Sequence, residues 1–236
     1  MRLTQKLREY LGGHRFDDNL MVPCGPGGTA VTLKKTAVAA LVEGKNIIDF
    51  GCADHVELIS QRFDTDKWFH KVISTRAARC IGLDVDQAAI SAAAEYGYEI
   101  LYYNIYTDTM PSRLTQTTWD YLTLLDVLEH IDDPVAFLKL IREKFNSIVE
   151  KIIIVVPNAF SNANFLNALR HLEIINSDHR YWFTPYTLGK VITRAGLALE
   201  HLELVHSYLP RYNLPRKLLI KYFPLLRDRC LAVAGL

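Results

Sequence analysis

The sequence predicts an α/β fold in which a largely parallel sheet carries helices on both faces. Three observations predict it. The run Asn46-Ile47-Ile48 ends in Asp49-Phe50-Gly51-Cys52-Ala53, a buried strand that stops in a tight turn beside an acid. A second apolar run, Cys80-Ile81-Gly82-Leu83, ends at Asp84. Residues 151–156 form an apolar, β-branched stretch. Strands apolar on both faces belong inside parallel sheets, and helix-like segments alternate with these.

The elements follow in order. Residues 1–11 read as a short amphipathic helix. Residues 12–29 contain Gly12, Gly13, Pro23, Gly25, Pro26, Gly27 and Gly28, a loop composition. Thr29 is placed to cap a helix over 30–42, which Gly44 ends. Strands are expected near 46–50 and 80–84. Asp86 opens an Ala-rich helix to about Tyr96, stopped by Gly97. Strands near 99–103 and 120–125 follow, then a helix after Pro134 and the strand 151–156. After Pro157-Asn158 comes a helix-like stretch to about Leu172, then a polar, aromatic loop through Phe183. Pro185 starts a helix that ends at Gly196. Residues 197–205 and 230–236 read as two last strands, joined by a basic, apolar segment at 214–223. One short excursion between two strands suits an antiparallel hairpin.

Composition narrows the function. The chain has 236 residues, 50% hydrophobic and 22% charged, enough to bury a substantial core. Its formal net charge of +1 offers no broad basic surface for nucleic acid. Cys24, Cys52, Cys80 and Cys230 are far apart with no CxxC pair, so they read as reduced core thiols, and no metal is expected. The first residues lack the apolar core of a signal peptide, and no apolar run reaches membrane-spanning length. A soluble cytoplasmic protein is expected.

The two strand ends suggest a nucleotide pocket: a backbone turn after the first strand and a carboxylate after the second. A dinucleotide turn needs glycines that let the backbone approach a pyrophosphate. Here Gly51 is present, but Ala53 and His55 hold the next alternate positions. Asp84 lies 35 positions after Asp49, against about 20 in dinucleotide binders, so a segment near 55–75 is inserted. A cofactor without a pyrophosphate fits better. S-adenosylmethionine offers ribose hydroxyls to a carboxylate and an amino-acid tail to the turn.

Five segments carry a resemblance in the right order. They are Ile47-Ile48-Asp49-Phe50-Gly51-Cys52-Ala53-Asp54, Ile81-Gly82-Leu83-Asp84-Val85-Asp86, the stretch from Trp119 through Asp126-Val127-Leu128-Glu129-His130-Ile131, Pro157-Asn158, and Asp178-His179-Arg180-Tyr181-Trp182-Phe183-Thr184. The chain resembles the class I S-adenosylmethionine-dependent methyltransferases. Within them it is similar to the small-molecule branch, the ubiquinone-type O-methyltransferases and those encoded with bacterial polysaccharide enzymes. The resemblance implies a Rossmann-like, doubly wound, seven-stranded sheet with the last strand antiparallel. It covers roughly 30–236, leaving 1–29 as an N-terminal helix and loop that could lie over the site as a lid.

The resemblance also implies residue roles. Asp49, Gly51 and Ala53 line the methionine moiety. Asp84 holds the ribose hydroxyls, with Val85 against the adenine and Asn104 near its amino group. Asp126 sits beside the methyl donor. A hydroxyl acceptor needs a base, and histidine serves near neutral pH. His130, just past the fourth strand, and His179, in the aromatic loop, are the candidates, each weighed evenly against a structural role. The expected acceptor is a small molecule, with a hydroxyl on a glycan or lipid-linked precursor leading on resemblance alone. Arg211, Arg216, Lys217, Lys221, Arg227 and Arg229, interleaved with apolar residues over 211–229, suggest a peripheral membrane contact, a grip on an anionic carrier such as a phosphate-linked lipid or nucleotide, or a packed amphipathic helix. Two other readings stay open: a non-catalytic partner subunit of the same fold, and an NAD-dependent oxidoreductase. Oligomeric state is left open.

Overall fold

The computed structural model describes residues 1–25, 30–62, 65, 67–209 and 213–236. The predicted cap at Thr29, the loop residues Pro26, Gly27 and Gly28, and Arg211 lie outside the described residues. The elements run α1 (Gln5–Gly12), α2 (Lys34–Val42), β1 (Asn46–Phe50), α3 (Val56–Arg62), α4 (Phe69–Ser74), β2 (Arg79–Asp84), α5 (Gln87–Ala94), β3 (Ile100–Tyr102), α6 (Ser112–Thr115) and β4 (Trp119–Leu125). After a 3₁₀ turn at Leu128–His130 come α7 (Pro134–Phe145), β5 (Val149–Pro157), α8 (Asn162–Ala168), α9 (Pro185–Arg194), β6 (Ala198–Val205), α10 (Leu214–Tyr222), a 3₁₀ turn at Pro224–Leu226 and β7 (Arg229–Gly235). The seven strands form a sheet of order β3-β2-β1-β4-β5-β7-β6. β1 pairs in parallel with β2 and β4, and β2 with β3, whereas β6 and β7 are antiparallel. The predicted class, strand number and closing hairpin are therefore all present.

The chain divides into two compact units. One comprises residues 38–125, 140–154 and 236; the other comprises 1–37, 126–139 and 155–235. In the first, Ile47, Ile48, Ile81, Leu83, Leu122 and Leu124 are fully buried, as two-faced central strands require. Phe50, Tyr103 and Phe145 meet edge-to-face at 6.2–6.3 Å. In the inserted segment Trp68 and His70 meet each other at a tilt and Tyr98 edge-on. Asp86 caps α5 by accepting from the amides of Ala88 and Ala89, the role its position predicts.

In the second unit, β6 and β7 bury Leu202, Leu204, Leu231 and Ala232 under α9. Helix α1 is anchored here. Arg8 donates to the Leu199 carbonyl at 2.7 Å and Lys190 to the Tyr10 carbonyl at 2.6 Å. Gly189 lets the helices approach closely, since a Cβ there would stand 3.3 Å from Leu11 and Leu199. The helix is thus docked on α9 and β6, and the loop after it is exposed at Phe16 and Met21.

Two boundaries and one basic cluster differ from expectation. Helix α2 starts at Lys34 rather than Ala30, because Leu33 forms a bridge with His206 and the Thr32 carbonyl accepts from the His206 amide. Helix α8 stops at Ala168, short of Leu172, where Asn167 takes the Leu172 amide in a turn. Arg227 and Arg229 do not join a surface patch. Arg227 is 5% exposed and donates to the carbonyls of Leu204, Ile220 and Ala30, while Arg229 turns to Asp126.

Candidate active site

In the first unit the ends of β1 and β2 build one turn. Gly51 adopts φ 69°, a conformation costly for residues with a Cβ, and its amide donates to the Leu83 carbonyl at 2.7 Å. Asp84 is 8% exposed, and its carboxylate gathers the amides of Ala53 (2.9 Å), Val85 (2.7 Å) and Asp86 (3.0 Å). Burial raises its pKa, against those amides, which favour the charged form. Val85 beside it is 56% exposed, an apolar side chain left to face a ligand or water. His55 stands where the third glycine of a dinucleotide turn would be. Its carbonyl accepts the amides of Leu58 and Ile59, so the turn runs straight into α3.

Asp49 reaches the same strand end, but its carboxylate faces inward. Oδ2 meets His70 Nδ1 at 2.9 Å and Oδ1 accepts from Thr123 Oγ1 at 2.5 Å, with all three buried. These two bonds brace the turn at the end of β1. Asn104 accepts the Tyr106 amide through Oδ1 at 3.0 Å, closing a turn after β3. His70 and Thr123 were not anticipated. Nothing local marks either one, because each acts through a residue at least 21 positions away.

In the second unit, Asp126 follows β4 with φ 57°, an unusual left-handed conformation for a residue other than glycine. It ion-pairs with buried Lys34 and, at 3.0 Å, with Arg229. Burial alone would raise its pKa, but the two cations win and hold it at about 2. Three residues on, Glu129 is fully buried, and neither of its carboxyl oxygens has a hydrogen-bond partner among the described residues. Burial, reinforced by Asp126, pushes its pKa up to about 8, so it is protonated at neutral pH.

Both candidate bases lie here. The His130 and His179 rings meet edge-on at 4.6 Å, and His179 Nε2 is 3.9 Å from Glu129 Oε1. His179 Nδ1 is buried without a partner, and burial followed by His130 lowers the pKa, so the ring is neutral at pH 7. Arg180 pins the loop. Its amide donates to the Glu129 carbonyl at 2.8 Å, and its guanidinium holds the His130 carbonyl and Asp132. Tyr181 adds a 2.6 Å bond to the Asp132 carbonyl. Glu129, His130 and His179 present one ligand atom each within 4.8 Å of one another, a donor set that could take a divalent cation, although no metal was expected. Asn158 is structural: its amide holds the carbonyls of Leu225 and Arg227.

The strand-end turn, the buried carboxylate and the exposed Val85 fit S-adenosylmethionine. Comparison with known proteins agrees. Residues 29–202 match the family described as Methyltransferase domain. A ubiquinone biosynthesis O-methyltransferase of Stutzerimonas stutzeri (strain A1501) is 25% identical over 173 residues, 67% of each chain. Two solved structures share the fold. A possible histamine N-methyltransferase from Thermotoga maritima has a TM-score of 0.54 at 13% identity, covering 85% of this chain and 86% of that one. A magnesium protoporphyrin IX methyltransferase from Synechocystis PCC 6803, solved with bound SAH, has a TM-score of 0.52 at 13% identity, covering 85% and 81%. The chain belongs to the methyltransferase domain family and is a class I S-adenosylmethionine-dependent methyltransferase.

Proposed function

We propose that this enzyme methylates a hydroxyl group of a small molecule, on a glycan or a lipid-linked precursor, with His179 as the base. The observation that carries the reading is the neutral, partnerless Nδ1 of His179, in a ring that rests edge-on against His130. S-adenosylmethionine supplies a methyl group already activated by its sulfonium. The chain's own residues hold, align and deprotonate. Asp84 takes the ribose hydroxyls, Val85 covers the adenine, and Asn104 meets its amino group. Gly51 and Ala53 present backbone to the methionine moiety, braced by Asp49. Asp126, fixed by Lys34 and Arg229, flanks the sulfonium. With S-adenosylmethionine bound to supply the methyl group, His179 would take the proton of the acceptor hydroxyl and release it to water. General-base catalysis of this kind contributes roughly 10²–10⁴-fold.

The test is calorimetric titration of the wild type and His179→Ala with S-adenosylmethionine, S-adenosylhomocysteine and NAD, followed by turnover on sugar nucleotides and lipid-linked sugars. Both sulfur compounds should bind both proteins, NAD neither, and turnover should fall at least 100-fold in the variant. Full turnover by His179→Ala would remove that residue from the mechanism. Donor binding without turnover on any acceptor pool would favour the partner-subunit reading.

A second reading of the same residues is supported by the two partnerless oxygens of Glu129. Here a divalent cation on Glu129, His130 and His179 binds the acceptor oxygen and lowers its pKa. Turnover lost on chelation and restored by one added metal would select it over the free base.

A further inference from the structure

The unit that carries the two histidines contains a recess that the chemistry above does not use. It encloses about 470 Å³, within the range of small-molecule sites, and is lined by Phe160, Phe165, Leu172, Ile174, Trp182 and Leu226, among others. Of its polar side chains, Asn164 donates to the Ala159 carbonyl at 3.1 Å, and the exposed Glu173 accepts from Trp182 Nε1 at 2.8 Å. The apolar side chains stay uncovered, with Phe160 49%, Phe165 54% and Ile174 61% exposed. Water against such a surface is unfavourable, and an aliphatic occupant would remove it.

Two further features indicate what that occupant is. Trp182, which lines the recess, meets the His179 ring edge-on at 6.2 Å, so the recess is continuous with the proposed base through one indole. Helix α10 runs into the turn that supplies Leu225 and Leu226. It carries Arg216, Lys217 and Lys221 with no acidic residue. An apolar cleft next to a purely cationic helix suits an anionic amphiphile.

We propose that this recess seats the aliphatic chain of the acceptor, which is a single-chain anionic amphiphile with its reactive hydroxyl near the charged head. The proposal rests on His179 as the acceptor base, and its test reads binding separately from turnover. Hexyl, octyl, decyl and dodecyl phosphate are titrated below their micelle concentrations into the full chain, with S-adenosylhomocysteine as a parallel titrant. Affinity should rise about three- to fourfold per buried methylene. Leu172→Glu, a half-exposed lining residue, should weaken dodecyl phosphate at least tenfold and leave S-adenosylhomocysteine unchanged. Leu166→Glu, on α8 but outside the lining, should change neither. His179→Ala should keep the chain-length dependence, so failure of the base assignment stays distinguishable from failure of the recess. Binding that ignores chain length, or equal losses in Leu166→Glu and Leu172→Glu, overturns the proposal. So does adsorption to anionic phosphatidylglycerol vesicles without binding of the monomeric alkyl phosphates, which would assign the face to a membrane surface.

Discussion

Two carboxylates in this protein are held by different kinds of partner. Asp84 is stabilised by three backbone amides, Asp126 by two cationic side chains. The amides around Asp84 come from the turn itself, so its removal loosens the turn and takes away the proposed ribose contacts together. Asp84→Ala should weaken S-adenosylhomocysteine binding by roughly 10–100-fold, the range expected for losing charge-assisted hydrogen bonds. Unchanged affinity by calorimetry would show the ribose assignment to be wrong. Asp126 has a different signature. Its folded pKa of about 2 lies below the usual carboxylate value, so its ion pairs stabilise the fold fully above that usual value. That contribution fades as pH falls toward 2. In urea unfolding, the stability gap between wild type and Asp126→Asn should therefore be largest near pH 7 and narrow steadily below pH 4. A gap that widens on acidification would contradict the pairing.

Among the elements, β2 shows how tightly the inserted segment is built in. Gly82 sits in mid-strand, where a Cβ would stand 2.6 Å from Cys52 Sγ, 2.8 Å from Ile100 Cγ1 and 3.0 Å from His70 Cε1. The missing side chain is what lets α4, through His70, close on the strand and reach Asp49. Gly82→Ala should destabilise the fold by about 1–3 kcal/mol, the usual cost of overpacking a filled core, read as a lower denaturation midpoint at constant slope. The loop before α9 is built on the same logic of external support. It has no helix or strand of its own around His179, and Arg180 and Tyr181 fasten it to the turn after β4. A capping box at Thr184 and Thr187, with Pro185 in the first turn, then starts α9 without strain.

For the molecule as a whole, donor binding and folding should be linked. Any ligand that binds only the folded chain stabilises it by mass action, about 2.7 kcal/mol at 100 times its Kd. For a chain of this length that corresponds to a rise in Tm of roughly 5–11 °C with S-adenosylhomocysteine. NAD at the same concentration should leave Tm unchanged. An equal shift with both would reopen the dinucleotide reading. Among the described residues no helix is long and apolar enough to cross a membrane. The basic tail also proves smaller as a surface than its sequence suggests, because Arg227 is spent on backbone carbonyls and Arg229 on Asp126.

The amino-acid order was enough for the fold class, the parallel core, the closing hairpin and the tight turn after β1. These depend on signals a few residues long: apolar runs, a turn glycine and an acid at a strand tip, each read within its own segment. The seven-strand count needed the family likeness as well. What lies beyond local reading is every pairing across distance. Asp126 meets Lys34 from 92 positions away and Arg229 from 103, and nothing near any of the three foretells it. Asp49 is bonded by His70 and Thr123 from other elements. His130 and His179 could be named as candidates separately. Their contact, the orphaned Glu129 between Leu128 and His130, and the apolar recess behind Trp182 exist only once the loop is folded back onto the turn at Leu128–Asp132. Strand formation is governed by near neighbours, whereas the charge state and reach of a site are governed by which distant groups the packing brings to it.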